Sequence, residues 1–196
     1  MDFSSACCRS VMPSDHRLRR WLAGCLLLLP TLVLARGIVL DADSHLADRT
    51  LVLSARASIA LDADVIEALD SGITLHFVLE GRLSRSNRFW LDARVAQTRR
   101  EFAVTRHALS NRYSVVETGS TRAQTFSSVE EAFSALGELP EVLSVEREKL
   151  QAGAAYIARV RLKLETDELP SPMRPVVWLS PAWWVSSGWH EWTLMP

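Results

Sequence analysis

At 196 residues with 48% apolar and 23% charged content, the chain can bury the core of one ordinary domain and is too short to need two. The formal net charge of -1 gives no overall bias toward polyanions, and no nucleic-acid partner is expected. All three cysteines, Cys7, Cys8 and Cys25, lie near the N-terminus, which excludes disulfide and thiol chemistry from the rest of the chain.

Arg17, Arg19 and Arg20 precede an apolar run over residues 21–34 that closes on Val33-Leu34-Ala35, the three-part pattern of a secretory signal peptide cut after Ala35. Residues 1–35 are thus read as a leader and 36–196 as a single domain released into the periplasm, with Met12 as an alternative start. The rival reading is an uncleaved N-terminal anchor. Its apolar run, interrupted by Pro30, is only about fifteen residues, against the ~20 that cross a bilayer. Leu22-Ala23-Gly24-Cys25 has the letters of a lipobox, but the apolar run follows the cysteine instead of preceding it. Arg19-Arg20 alone is a weak twin-arginine signal. Cleavage removes four arginines from 22 basic residues and two aspartates from 23 acidic ones, leaving 18 against 21, a mature charge of -3.

Gly37 to Leu40 reads as a short extended run and Asp41 to Asp48 as a turn. Leu51, Leu53, Ala55, Ala57, Ile59 and Leu61 then alternate with polar residues as a strand that pairs with the first run in a hairpin. Asp64 and Glu67 have capping-box spacing, Ile66 and Leu69 give an apolar stripe, and Gly72 supplies a stop, so a helix of two or three turns is predicted. From Ile73 the period becomes two: Leu75, Phe77, Leu79 and Leu83 share one face, His76, Glu80 and Arg82 the other. This predicts a strand with one wet face in an antiparallel sheet. Arg85 to Arg88 is a turn into Phe89 to Val95; Phe102 to Arg106 and Tyr113 to Glu117 are extended. A second helix is predicted from a Ser127/Glu130 capping box to Gly137. Leu143 and Val145 suggest a strand, Gln151 to Gly153 a turn, and Tyr156 to Leu164 the cleanest alternation in the chain. The three prolines from Leu169 to Pro175 form either a PxxP ligand or, more simply, a stiff crossing connection.

Many short strands with two brief helices describe an all-β antiparallel β-sandwich, immunoglobulin-like or related, with a barrel as the alternative. Between residues 82 and 122, nine arginines face only Asp92, Glu101 and Glu117, a local balance of +6 against -9 for the rest of the mature chain. Such a division either pairs internally across strands or leaves a basic surface for an anionic partner. The sequence has no nucleophile elbow, HExxH helix, phosphate loop or dinucleotide glycine signature. His45, His76, His107 and His190 have no metal-site spacing, and no cofactor or metal is expected. Asp92 shares a face with Trp90, where it is either a desolvated acid or the partner of an arginine such as Arg94 or Arg106. Residues 176–194 hold five of the seven tryptophans. If extended, Trp183 and Trp184 must point to opposite faces, as must Trp189 and Trp192. The outer ones are either covered or form an aromatic contact surface.

Several stretches, taken together and in order, resemble an exported proteobacterial family of unknown function. They are Glu67-Ala-Leu-Asp-Ser-Gly-Ile-Thr-Leu75, Arg85 to Trp90 with Asp92, Leu109-Ser-Asn-Arg-Tyr113, Tyr156-Ile-Ala-Arg-Val-Arg161, Leu169-Pro-Ser-Pro172 and Trp189-His-Glu-Trp192. The family is DUF family 4390, whose members are also labelled proline-rich signal peptide proteins. The resemblance spans the mature chain, with Phe89-Trp90 standing where the family often has Trp-Trp. It implies a periplasmic location and the company of a membrane-bound sensor kinase, and it supplies no catalytic residues. The expected function is a non-enzymatic periplasmic binding or interaction module. Its candidate contact residues are Arg82, Arg85, Arg88, Trp90, Asp92, Arg94, Trp184, Trp189 and Trp192. Its partner is a sensor kinase or other envelope protein, an anionic envelope polymer, or lipid headgroups. The alternative is a hydrolase of envelope polymers using Asp92 and a histidine as acid and base.

Overall fold

The computed structural model describes residues 37–87, 92–167, 169 and 179–195. Residues 1–36, with the expected leader and its cleavage site and all three cysteines, together with Arg88, Phe89 and Trp90, the proline-rich run after Leu169, and Trp178, lie outside the described residues.

The chain opens with a hairpin of β1 (Ile38–Ala47) and β2 (Thr50–Ile59), in unbroken register from Ile38 opposite Ile59 to Ala47 opposite Thr50. Asp41 to Ala47, expected as a turn, therefore continues the strand, and the turn shrinks to Asp48 and Arg49, with Asp48 at φ +52°. Leu40, Ala42 and Ser44 alternate toward the core side, opposite Ala57, Ala55 and Leu53. The aspartates occupy the outer positions of an edge strand, where a charge remains hydrated.

Helix α1 (Ala63–Asp70) buries Val65, Ala68 and Leu69 and is ended by Ser71 and Gly72, the latter at φ +91°. Its N-cap is Asp62, without a side-chain cap bond, so the Asp64/Glu67 box is not formed; Asp64 instead sits in the first turn, where the helix dipole favours a carboxylate. In helix α2 (Val129–Gly137) the box forms one residue later than expected. Ser128 Oγ accepts from the Glu131 N–H, and the Glu131 carboxylate accepts from the N–H and O–H of Ser127.

The remaining strands are β3 (Leu75–Arg85), β4 (Ala93–His107), β5 (Arg112–Glu117), β6 (Ala123–Phe126), β7 (Glu138–Glu146), β8 (Tyr156–Glu165) and β9 (His190–Leu194). They form a three-stranded sheet, β1-β2-β7, and a six-stranded sheet, β6-β5-β4-β3-β8-β9, both antiparallel. The architecture is the expected all-β sandwich. It shares its layering with the immunoglobulin arrangement, while β3 to β6 run as a simple meander. β4 continues straight through Arg99-Arg100-Glu101, so the two segments read from the sequence are one strand of 15 residues.

The sheets meet through the expected alternation. Phe77, Leu79 and Leu83 of β3 and Ala158, Val160 and Leu162 of β8 are fully buried, facing Leu53 of β2 and Val142 of β7. The second face of β3 is drier than expected: Val78 is buried and the Glu80 side chain is only 12% exposed. Two glycines set the spacing of the layers. A Cβ on Gly81 would come within 2.9 Å of Val142 Cγ1, where a bulged β7 presses onto β3. A Cβ on Gly137 would fall 2.0 Å from the Ala57 carbonyl oxygen, where α2 ends against β2.

Since backbone cannot yield as a side chain can, Gly137→Ala should destabilise the fold by about 3 kcal/mol. Gly72→Ala, strained only by its positive φ, should cost about 1–2 kcal/mol. Denaturant unfolding midpoints measure both, and a Gly137→Ala variant as stable as the parent would refute this close approach.

Candidate functional site

Register alone places the charged residues of the large sheet's outer face. Opposite Glu80 of β3 stand Arg99 of β4 and Arg161 of β8; opposite Arg82 stand Gln97 and Arg159; opposite Arg159 stands Glu191 of β9. Glu80 accepts from Arg161 and lies 3.7 Å from Arg99. Arg99 also donates to Glu101 at 2.9 Å, Lys163 to Glu165 at 2.7 Å, and Arg159 to Glu191. Much of the arginine band is therefore compensated by acids on neighbouring strands.

Arg82 is different. The register gives it an amide and another arginine as neighbours, and its guanidinium instead lies 4.6 Å from the centroid of the Trp189 ring, which also takes Arg161 at 4.5 Å. The ring quadrupole attracts both cations without neutralising either. Arg94, exposed and opposite Ser84, is one diagonal step from Arg82 on the same face, roughly 7–8 Å between Cβ atoms. Among the described residues no carboxylate is bonded to Arg82 or Arg94.

Three expected contact residues, Arg82, Arg94 and Trp189, are thus brought together, with Asp92 near enough to act on Arg159, while Arg85, Trp184 and Trp192 are placed elsewhere. Arg85 stands opposite Tyr156 on the inner side at the end of the sheet. Asp92 is exposed, and its carboxylate accepts from the Asn87 N–H at 3.4 Å across the base of the β3–β4 loop. Trp192 is on the core side opposite Ala158 and donates its indole N–H to Ser44 Oγ of β1 at 3.2 Å, tying the two sheets together. Trp189 and Trp192 thus take opposite faces, whereas Trp183 closes a 3-10 turn, buried at 2% exposure, and Trp184 beyond it is 68% exposed, a division set by the turn and not by strand parity. Arg88 and Trp90 lie outside the described residues. Arg161, which completes the stack, was not singled out from the sequence. Its outward position was visible in the β8 alternation, but its pairing with β3 across about eighty residues was not.

A second feature lies on the other side of β4. Between β7 and the inner face of β4, β5 and β6 runs an open crevice of about 700 Å³, with Phe102, Leu136 and Leu139 among its apolar lining and Arg100, Glu117 and Arg122 among its charged lining. Arg100 spans it, donating to both oxygens of Glu117 and to the Glu141 carbonyl at 2.8 Å. That bond with Arg100 holds the Glu117 carboxyl below its ordinary range, against the opposing effect of burial. Near neutral pH it is an ionised, doubly bonded acceptor unsuited to donating a proton.

The histidines do not converge on Asp92. His76 and His107 stand at the far ends of β3 and β4, His45 is on the other sheet, and His190 is on the core side of β9. His107 Nε2 does lie 3.1 Å from Ser114 Oγ, a pair the sequence reading missed, but Ser114 is only 6% exposed and so shielded from a substrate.

Residues 37–193 match the family model described as Domain of unknown function (DUF4390), and the chain belongs to that family. No curated protein and no solved structure matches it.

The Arg100–Glu117 pair yields a pH signature. A carboxyl whose folded pKa is depressed adds stability above its unfolded value of about 4.3 and loses it as the pH falls through the folded value. Glu117→Gln should therefore lower stability at pH 7 and match the parent in strong acid. With both side chains about a third exposed, solvent screening keeps the difference near 1 kcal/mol or less. Chemical denaturation across the acid range measures it, and a pH-independent gap would exclude the pair as its source.

Proposed function

We propose that the domain acts in the periplasm as a non-enzymatic binding module for an anionic envelope component, with the Arg82–Trp189–Arg94 strip as its contact surface. The arginine-flanked apolar run ending at Ala35 supports export. The observation that carries the reading is that Arg82 stacks on an aromatic ring, where Arg99, Arg100, Arg159 and Arg161 all bond carboxylates. A cation already in a salt bridge must exchange one anion for another to bind a partner, and gains little. A cation oriented by a ring keeps its charge and donors available and has already lost part of its rotamer freedom. Trp189, 36% exposed, adds an amphipathic edge of the type enriched in contact surfaces.

Replacing Arg82 and Arg94 together by glutamate should reduce retention of the protein on isolated envelope fractions by tenfold or more while thermal unfolding stays cooperative. Trp189→Leu should weaken retention less, because it removes the support and leaves the charges. Undiminished retention of the double variant at physiological salt would rule out this strip as the contact surface.

A further inference from the structure

The two outer faces of the sandwich carry charge of opposite sign. On the three-stranded sheet one cross-strand row holds Asp41, Arg56 and Glu138, and the same face carries Asp43 and Glu146, four carboxylates against one arginine. Arg56 is committed to Glu138 at 3.1 Å, and Glu146 meets Lys149 from the following turn. Asp41 and Asp43 remain exposed. Across β4, β3, β8 and β9 the opposite face carries Arg82, Arg94, Arg99, Arg159, Arg161 and Lys163 against Glu80, Glu101, Glu165 and Glu191, with exposed Asp92 at its margin acting on Arg159. The division of charge seen along the sequence is therefore also a division across the thickness of the fold.

We infer that the basic face docks on an anionic lipid bilayer, with the acidic face of the small sheet turned away from it. This rests on the contact surface assigned above and names its partner. Charge complementarity is the first argument: guanidinium groups near the surface are drawn to anionic phosphate headgroups. Shape is the second. The cationic residues lie along the face of a sheet, while the crevice lies on the inner side of β4. An extended face meets a plane with many weak contacts, whereas a single polymer strand is better held in a groove.

Distance is the third argument. Two packed sheets lie about 10 Å apart and their outward side chains roughly double that separation. The acidic face then sits beyond the Debye length of about 8 Å at physiological salt. With the basic face down, the carboxylates hardly oppose docking; with the small sheet down, they repel the membrane directly. The opposite signs thus select one orientation. Trp189, stacked with Arg82 and Arg161 and partly exposed, reaches the headgroup level, where indole rings reside.

The test is sedimentation of the full processed protein with vesicles of phosphatidylglycerol mixed into phosphatidylcholine, beside pure phosphatidylcholine and soluble polyphosphate. The readout is the preference for phosphatidylglycerol, which an apolar N-terminal segment would not create. The parent protein should show a preference of tenfold or more that fades at high salt. Arg82→Glu with Arg94→Glu should abolish it, and Asp41→Asn with Asp43→Asn should leave it unchanged or raise it, with circular dichroism confirming the fold of each variant. Loss of the preference in the aspartate variant, or its survival in the arginine variant, would overturn the docking orientation. Binding to polyphosphate without a lipid preference would overturn the bilayer as partner and leave the basic contact surface standing. Binding to neither would overturn both.

Discussion

The register between β3 and β8 is the constraint on which the rest of the molecule depends. Phe77 opposite Leu164, Leu79 opposite Leu162 and Leu83 opposite Ala158 build the floor of the core, and the alternate pairs, Glu80 with Arg161 and Arg82 with Arg159, build the outer face. Because side chains alternate with a period of two, a slip of one residue would bury four charged groups and expose the core. At about 1.5–3 kcal/mol for each large apolar side chain withdrawn from water, the core decides the register by a wide margin. The outer ion pairs, partly exposed and worth far less, are placed by that decision. The cationic strip is thus a consequence of core packing, held with the rigidity of a central strand pair.

Local patterns in the sequence carried most of this fold, and the places where they failed have physical causes. Tyr156 to Leu164 reads correctly because its strand is central and flanked on both sides, so burial enforces strict alternation. Asp41 to Ala47 reads as a turn because an edge strand on the thin sheet tolerates aspartates on its wet face. The capping residues of both helices were displaced by one or two positions. Several adjacent Ser, Asp and Glu residues can satisfy the same first-turn N–H groups, and the entry angle of the chain chooses among them. β4 appeared interrupted by its three consecutive charges. In the structure Arg99 points outward to Glu80 and Glu101, and Arg100 turns to the inner side, where Glu117 and the Glu141 carbonyl receive it.

The site was legible only in part, for a different reason. Parity separated Trp189 from Trp192 and put Arg82 on the polar face of β3, and both placements hold. Which arginines are left without a compensating carboxylate depends on what lies across the strand, and that is long-range information. Arg159 has Glu191 as its neighbour while Arg82 has Gln97 and Arg159; nothing in the composition of the arginine band separates the two. Arg85 and Arg94 likewise look equivalent by spacing, yet the bulge after Leu83 sends Arg94 to the outer face, with Arg85 opposite Tyr156 on the inner one.

Arg82, Arg159 and Arg161 crowd three like charges onto adjoining positions of two strands, an arrangement that is unfavourable in isolation. Glu80 and Glu191 relieve two of them. For the third, the stack on Trp189 returns about 0.5–2 kcal/mol, comparable to a partly exposed ion pair but without cancelling the charge. A carboxylate at the position of Gln97 would serve stability equally well and would extinguish the positive potential at this end of the sheet. The aromatic support therefore has one physical consequence that the acidic alternative lacks: Arg82 is held in place with its charge uncompensated by a neighbouring carboxylate. A face built only for stability gains nothing from that difference, whereas a face that meets an anion depends on it.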